Sequence, residues 1–288
     1  MQVAKDLFGN DIIQLDSLKR VYGANPFTII DTKEGMWNAR KRKWLNLGIQ
    51  SEVGRDVVTY SFKDRADKYG RKIKSDTSIF DPVLCEIMYN WFCKPNGTIL
   101  DPFAGGSVRG IIANYLGFKY TGIDIREEQI KSNIEQAVKI LDENNQPNWI
   151  VGDSNKVLDT ITDEFDCVFT CPPYADLEVY SDLEGDISNM EYDKFIVAFE
   201  EIMGKACKLL KKDGYAVVIV GEVRDKDGNY YGFVPDTVKM FQRYEGMKYY
   251  NEAILATSLN TAPIRANNCM KTGKLVKVHQ NILVFKKC

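Results

Sequence analysis

Residues Ile99–Gly110 read ILDPFAGGSVRG. A short apolar run ends in an acid, a turn rich in small residues follows, and helical spacing begins at Ser107. Small residues in such a turn let the backbone approach a ligand, and the carboxyl end of a strand opens the crevice that receives it. Gly105 and Gly106 supply the close approach, and Asp101 can bind an ammonium group. The spacing is not G-x-G-x-x-G, which disfavours a dinucleotide.

Outward from this turn, the chain from about residue 76 alternates short β-rich runs with longer stretches of helical spacing, the pattern of βαβ units on a parallel sheet. The expected strands are Thr98–Asp101, Lys119–Asp124, Trp149–Val151, Cys167–Thr170, Tyr215–Val220, Tyr250–Thr257 and Gln280–Phe285. Helices are expected over Ser107–Leu116, Glu127–Leu141, Asp193–Leu210 and Val234–Tyr244. The second of these carries Ile130, Ile134, Val138 and Leu141 as a stripe of period 3.6. No helix is evident between the last two strands, and Ser258–His279 reads as a long loop.

Acids recur at the ends of successive strands. Asp124 closes the second, where a carboxylate can chelate two ribose hydroxyls, and Asp153 follows the third, where it can accept from an adenine amine. With Asp101, the three suit a nucleoside that carries an amino-acid tail.

Composition narrows the chemistry. The 288 residues hold seven cysteines of irregular spacing and one histidine, His279. That is no disulfide framework, and it leaves neither a zinc site of the usual kind nor a histidine triad. No metal is expected. No apolar run reaches the length of a membrane span and no signal core opens the chain, so a cytoplasmic location and no membrane partner are expected. The net charge of −2 hides an asymmetry: residues 1–75 carry +6 and the remainder −8. A basic extension over 1–75, a candidate polyanion-contacting segment, precedes a catalytic domain over 76–288. Within the extension, WNARKRKW sets Arg40, Lys41, Arg42 and Lys43 between Trp37 and Trp44. Basic side chains suit phosphates and aromatics suit exposed bases or packing. Arg265 and Lys271 in the late loop are further candidates, and Arg224 with Asp225 reads as an ion pair.

Taken in order, DPFAGGS (Asp101–Ser107) and TCPPY (Thr170–Tyr174) resemble the cofactor turn and the (D/N/S)-P-P-(Y/F/W) catalytic motif of DNA amino-methyltransferases, the adenine-N6 and cytosine-N4 methylases. SIFDPVL, Ser78–Leu84, lies where that family has a further cofactor-contacting segment, which brings in Phe80. The longer stretches SIFDPVLCEIMYNWFC and VHQNILVFKK are similar to a phage and bacterial group of these methylases. The resemblance covers about residues 76–288. It implies an α/β Rossmann-like methyltransferase fold with a seven-stranded, mostly parallel sheet whose last strand is reversed and inserted beside the fifth. It implies S-adenosylmethionine as cofactor, held by Phe80, Asp101, Pro102, Phe103, Gly105, Gly106, Asp124 and Asp153. It implies catalysis by Cys171, Pro172, Pro173 and Tyr174 on a base flipped out of DNA, in the cytoplasm of a bacterial or phage-infected cell. A homodimer and a restriction partner stay open.

The chemistry accounts for the motif. The lone pair of an exocyclic amine is delocalised into the ring. Acceptors for its N–H groups, by the resemblance the first motif side chain and the Pro172 carbonyl, push the nitrogen toward sp³. Tyr174 would stack on the base. The departure is Cys171, where the family has Asp, Asn or Ser, because a thiol is a weak acceptor. Either the Pro172 carbonyl does most of the activation, or Cys171 acts as a serine analogue, or activity is low. Cytosine-C5 enzymes place their nucleophilic cysteine after the proline, whereas Cys171 precedes Pro172. An RNA-base or protein-glutamine methyltransferase, or an inactive DNA-binding subunit, are the competing readings.

Overall fold

The computed structural model describes residues 15–49, 80–173, 181, 183–257, 259 and 262–288. Near the N-terminus lie α1 (Leu15–Tyr22), β1 (Ile29–Asp31) and α2 (Gly35–Leu45), followed by α3 (Pro82–Phe92). The βα alternation then runs β2 (Thr98–Asp101), α4 (Val108–Tyr115), β3 (Lys119–Asp124), α5 (Glu127–Ile140), β4 (Asn148–Val151), the single turn α6 (Ser154–Val157) and β5 (Phe165–Thr170). The chain ends with α7 (Tyr192–Lys208), β6 (Leu210–Val220), α8 (Phe233–Arg243), β7 (Met247–Ala256), α9 (Ala262–Met270) and β8 (His279–Lys287).

One sheet has the order β1-β7-β8-β6-β5-β2-β3-β4. β8 is antiparallel to both neighbours, β6 and β7, and every other pairing is parallel. A reversed strand beside β6 inside an otherwise parallel sheet is the Rossmann-like methyltransferase arrangement, and all seven expected strands are in it. The described sheet has eight strands rather than seven. The eighth, β1, comes from the basic extension and pairs Ile29–Asp31 with Ile254–Ala256 of β7. Three residues are too few for a period-2 signal, so only the register of a partner reveals such a strand.

Central strands are apolar on both faces, as a sheet covered by helices on both sides requires. Along β6, Val217 and Ile219 enter the core on the α3, α4 and α5 side, while Val218 and Val220 enter the core shared with α7 and α8. Two expectations are corrected. Ser258–His279 contains α9, a helix whose apolar residues mostly face outward and so leave no amphipathic stripe to read. In α5, Ile134 and Val138 are exposed, and beside Ile130 and Ala137 the helix buries polar Gln129, Ser132, Asn133 and Gln136.

The extension is tied to the body through α2. Trp37 and Trp44 are buried, and their indole N–H groups donate to Asp81 (3.2 Å) and Glu86 (2.8 Å) at the start of α3. Asp81 also caps α3, accepting from the Val83 N–H with Pro82 in the first turn.

Candidate active site

The parallel strands β2, β3, β4 and β5 present their carboxyl ends to one edge, and the candidate residues collect there. In the turn after β2, Gly105 adopts φ +50°, and its N–H donates to Asp124 at the end of β3 (2.9 Å). The other oxygen of Asp124 accepts from the Arg126 N–H (2.9 Å). Asp153 caps α6 through the Asn155 N–H (2.9 Å), and Ser154 donates to the Pro102 carbonyl (2.5 Å). Pro102 is buried, and the half-buried Phe103 ring packs 5.9 Å from Phe199 of α7.

Asp101 lies deeper than an open ligand would. It is fully buried and accepts from Arg109 Nε (2.5 Å), Tyr120 Oη (2.7 Å), Thr170 Oγ1 (2.7 Å) and the Phe103 N–H (3.1 Å). This donor set suits it to fixing the turn rather than to meeting an ammonium group directly. Burial works against the Arg109 charge, but Asp101, Tyr120 and Cys171 nearby outweigh it and raise the guanidinium above its usual range. Burial, followed by Asp101, pushes the Tyr120 phenol well up, so it stays a neutral donor. Arg109 also donates to the carbonyls of Phe103 and Ala104 (2.9 Å for the latter). The Phe80 ring lies 4.8 Å from the guanidinium and packs edge-on against Phe169. Phe80 therefore lies on Arg109 at the rear of the turn.

The polar face of α5 holds the turn from the other side. Arg126 donates to Gln129, Gln129 to Asn133, and Asn133 to the Gly105 carbonyl (2.7 Å). Ser107 donates to Gln136 (3.1 Å). Arg109, Tyr120, Asn133 and Gln136 are absent from the sequence expectations. The signal was present as the polar residues Arg126, Gln129, Asn133 and Gln136 at helical spacing, which mark a second buried face beside the apolar one.

Cys171, Pro172 and Pro173 follow β5 directly, with Pro172 buried and Cys171 half-buried against the α3–α4 core. The Thr170–Asp101 hydrogen bond ties this motif to the acid of the glycine turn, one residue before Cys171. Tyr174 and most of the acidic segment Ala175–Asp186 lie outside the described residues. At the end of that segment Gly185 has φ +94°, and a Cβ there would come 3.0 Å from an Asp153 oxygen and 3.5 Å from Ile125 Cδ1. The residue thus closes over a carboxylate and an apolar side chain.

That donor set tests the expected cofactor. A nucleoside needs acceptors for its hydroxyls and amine and an apolar surface for its ring. Asp124 and Asp153 supply the acceptors and Ile125 an apolar wall beside them. The nucleoside half of S-adenosylmethionine fits, and its ammonium group is not assigned to Asp101. Among the described residues, no group of three His, Cys, Asp or Glu side chains is placed to hold a metal ion, and no helix is long and apolar enough to cross a membrane.

The nominated basic residues divide. Arg40 pairs with Glu86 (2.5 Å) and Lys41 with Asp81 (3.0 Å), both on the way to packing α2 on α3. Arg42, Lys43, Arg265 and Lys271 are exposed. Arg224 and Asp225 close a small hairpin rather than pairing with each other. Asp225 accepts from the Asn229 N–H (2.8 Å), and Arg224 donates to the Gly228 carbonyl (2.6 Å) over the Tyr230 ring. Burial pushes the Lys277 amine down to about 8 against the opposing effect of Glu222, and that amine donates to the Glu222 carbonyl (3.1 Å) just past β6.

Neither a family model nor a curated protein sequence matches the chain. Solved structures do. TrmN from Thermus thermophilus is 13% identical with a TM-score of 0.49, over 73% of this chain and 49% of that one, so the chain spans about half of its length. An rRNA-methylase candidate from Clostridium thermocellum is 12% identical with a TM-score of 0.47, over 74% and 100%. Magnesium protoporphyrin IX methyltransferase from Synechocystis PCC 6803 with bound S-adenosylmethionine is 12% identical with a TM-score of 0.46, over 87% and 94%. Such likeness concerns the fold alone. The chain has the Rossmann-like fold of S-adenosylmethionine-dependent methyltransferases, and its strand order carries that statement.

Proposed function

We propose that this chain transfers a methyl group from S-adenosylmethionine to an exocyclic amine, adenine N6 or cytosine N4, of a base flipped out of DNA. The observation that carries the reading is the hydrogen bond from Thr170 to Asp101, which clamps the Cys171-Pro172-Pro173 segment to the glycine turn. A cofactor turn and an amine-activating motif must be held in one fixed relation for in-line transfer, and such positioning can contribute ~7–11 kcal/mol to the rate.

When bound, the cofactor supplies an electrophilic methyl group on a sulfonium. Asp124 would accept from the ribose hydroxyls, and Asp153 with Ile125 would hold the adenine. The carbonyl of Pro172 accepts an N–H of the target amine and draws its lone pair toward sp³. Consecutive prolines keep that carbonyl from turning away. Cys171 stands beside it as a small side chain of serine-like shape, and the amine loses its proton only after the transfer.

The test offers methyl-labelled S-adenosylmethionine with unmethylated duplex DNA, with RNA and with protein substrates in separate reactions. Label in DNA supports the reading. Label confined to RNA or to protein glutamine overturns it.

A further inference from the structure

α9 interrupts the connection between β7 and β8. The base of this insert is closed by the Thr257 N–H donating to the Val278 carbonyl (3.0 Å) and by Lys277 donating to the Glu222 carbonyl (3.1 Å). Lys274 lies across Gly228 of the Arg224–Tyr230 hairpin, so close that a Cβ at Gly228 would collide with it. The register places the insert on the catalytic edge. Asn281 of β8 pairs with Val220 at the end of β6, and Val218 pairs with Thr170, the residue before Cys171.

The helix has an inner and an outer side. Ala262 is buried and Cys269 is half-buried, and seven positions apart they lie on one side. Opposite them, Ile264, Asn267, Asn268 and Lys271 follow i, i+3, i+4, i+7 and are all exposed, Ile264 by 77%. Arg265 flanks this stripe and is also exposed. From Thr257 to His279 there is no acid, against Arg265, Lys271, Lys274 and Lys277, in a chain whose net charge is −2. Arg40 and Lys41, in contrast, are already paired, with Glu86 and Asp81 respectively.

We infer that α9 is a groove-reading helix. Its outer face lies in the major groove of the duplex beside the base drawn into the site. The inference rests on the DNA reading above. A major groove about 12 Å wide admits one α-helix, and Asn side chains can bond both N6 and N7 of adenine there. Asn267 and Asn268 face base edges, and Arg265 and Lys271 meet phosphates, which position the helix without reading sequence.

The experiment uses the full chain and DNA grown without methylation, with S-adenosylmethionine binding as the folding control. Methylated positions are mapped by sequencing, and affinity is measured across a salt series. R265A/K271A should lower the slope of log affinity against log salt by about 1.8, which is roughly a tenfold smaller affinity loss between 50 and 200 mM. N267A/N268A should relax the set of sequences methylated while leaving the salt slope in place. K119A/K139A, exposed lysines away from the catalytic edge, should match the wild type in both. If the wild type methylates DNA and both α9 variants keep its slope and its sites, the inference is overturned and the DNA reading stands. If the wild type methylates no DNA although it binds cofactor, the reading fails and the inference with it.

Discussion

Replacing Arg109 with methionine tests how the glycine turn is held. The side chain is 7% exposed, and its partner Asp101 is fully buried at 2.5 Å. Methionine fills much of the same space without the charge, so Asp101 keeps only neutral donors: Tyr120, Thr170 and the Phe103 N–H. Breaking a buried ion pair from one side costs ~3–5 kcal/mol, because the remaining charge is left buried without compensation. The carbonyls of Phe103 and Ala104 lose their donor in the same step, and the turn that frames the cofactor loosens. Urea unfolding should show the loss of stability, and calorimetry should show S-adenosylmethionine binding weakened at least tenfold. The double variant with Asp101→Asn should be less destabilised than the sum of the two singles, since groups in one network couple. A single variant within about 1 kcal/mol of wild type, with additive effects in the cycle and intact cofactor binding, would refute the reasoning.

Three further outcomes are expected. Asn133→Ala removes the donor to the Gly105 carbonyl and should cost about 1–2 kcal/mol in thermal or urea unfolding, with a several-fold loss of cofactor affinity; an unchanged affinity would detach α5 from the site. Pro173→Ala should abolish turnover in a methyl-transfer assay while calorimetric cofactor binding survives, since the residue stiffens the catalytic segment and not the glycine turn. Burial pushes the Asp166 carboxyl up, but hydrogen bonds from Lys94, the Thr98 N–H and Lys211 outweigh it and hold it down at about 2. A depressed carboxylate contributes stability above its unfolded value near 3.9 and loses it as pH falls toward 2, so unfolding followed between pH 5 and 2 should show a loss on the order of 2 kcal/mol that Asp166→Asn lacks.

The sequence carries the βα body from about residue 98 well because each βα unit there has its own punctuation. Asp101, Asp124 and Asp153 mark strand ends, and apolar runs such as YAVVIV are long enough to declare a doubly covered strand. The N-terminal third was illegible for the converse reason. β1 is three residues long, and α2 buries two tryptophans through indole hydrogen bonds to Asp81 and Glu86, so its order depends on α3 and not on a periodic stripe. The charge of Arg40 and Lys41 reads as a phosphate-binding run in one dimension and as an interhelical ion-pair layer in three. In the site, the strand-end acids were visible and their partners were not. Asp101 reads as a ligand until Arg109, Tyr120 and Thr170 are seen to surround it, and two of those three come from other strands. Buried polar faces such as that of α5 escape a reading tuned to apolar periodicity.

The proposed function turns on which atom receives the methyl group. Incubation with labelled S-adenosylmethionine and unmethylated DNA, followed by nucleoside digestion and mass spectrometry, reads it directly. Label is expected on N6-methyladenine or N4-methylcytosine, and its loss is expected in Pro173→Ala. Label on a ring carbon, as in 5-methylcytosine, or no labelled nucleoside from a chain that binds the cofactor, would contradict the proposed function.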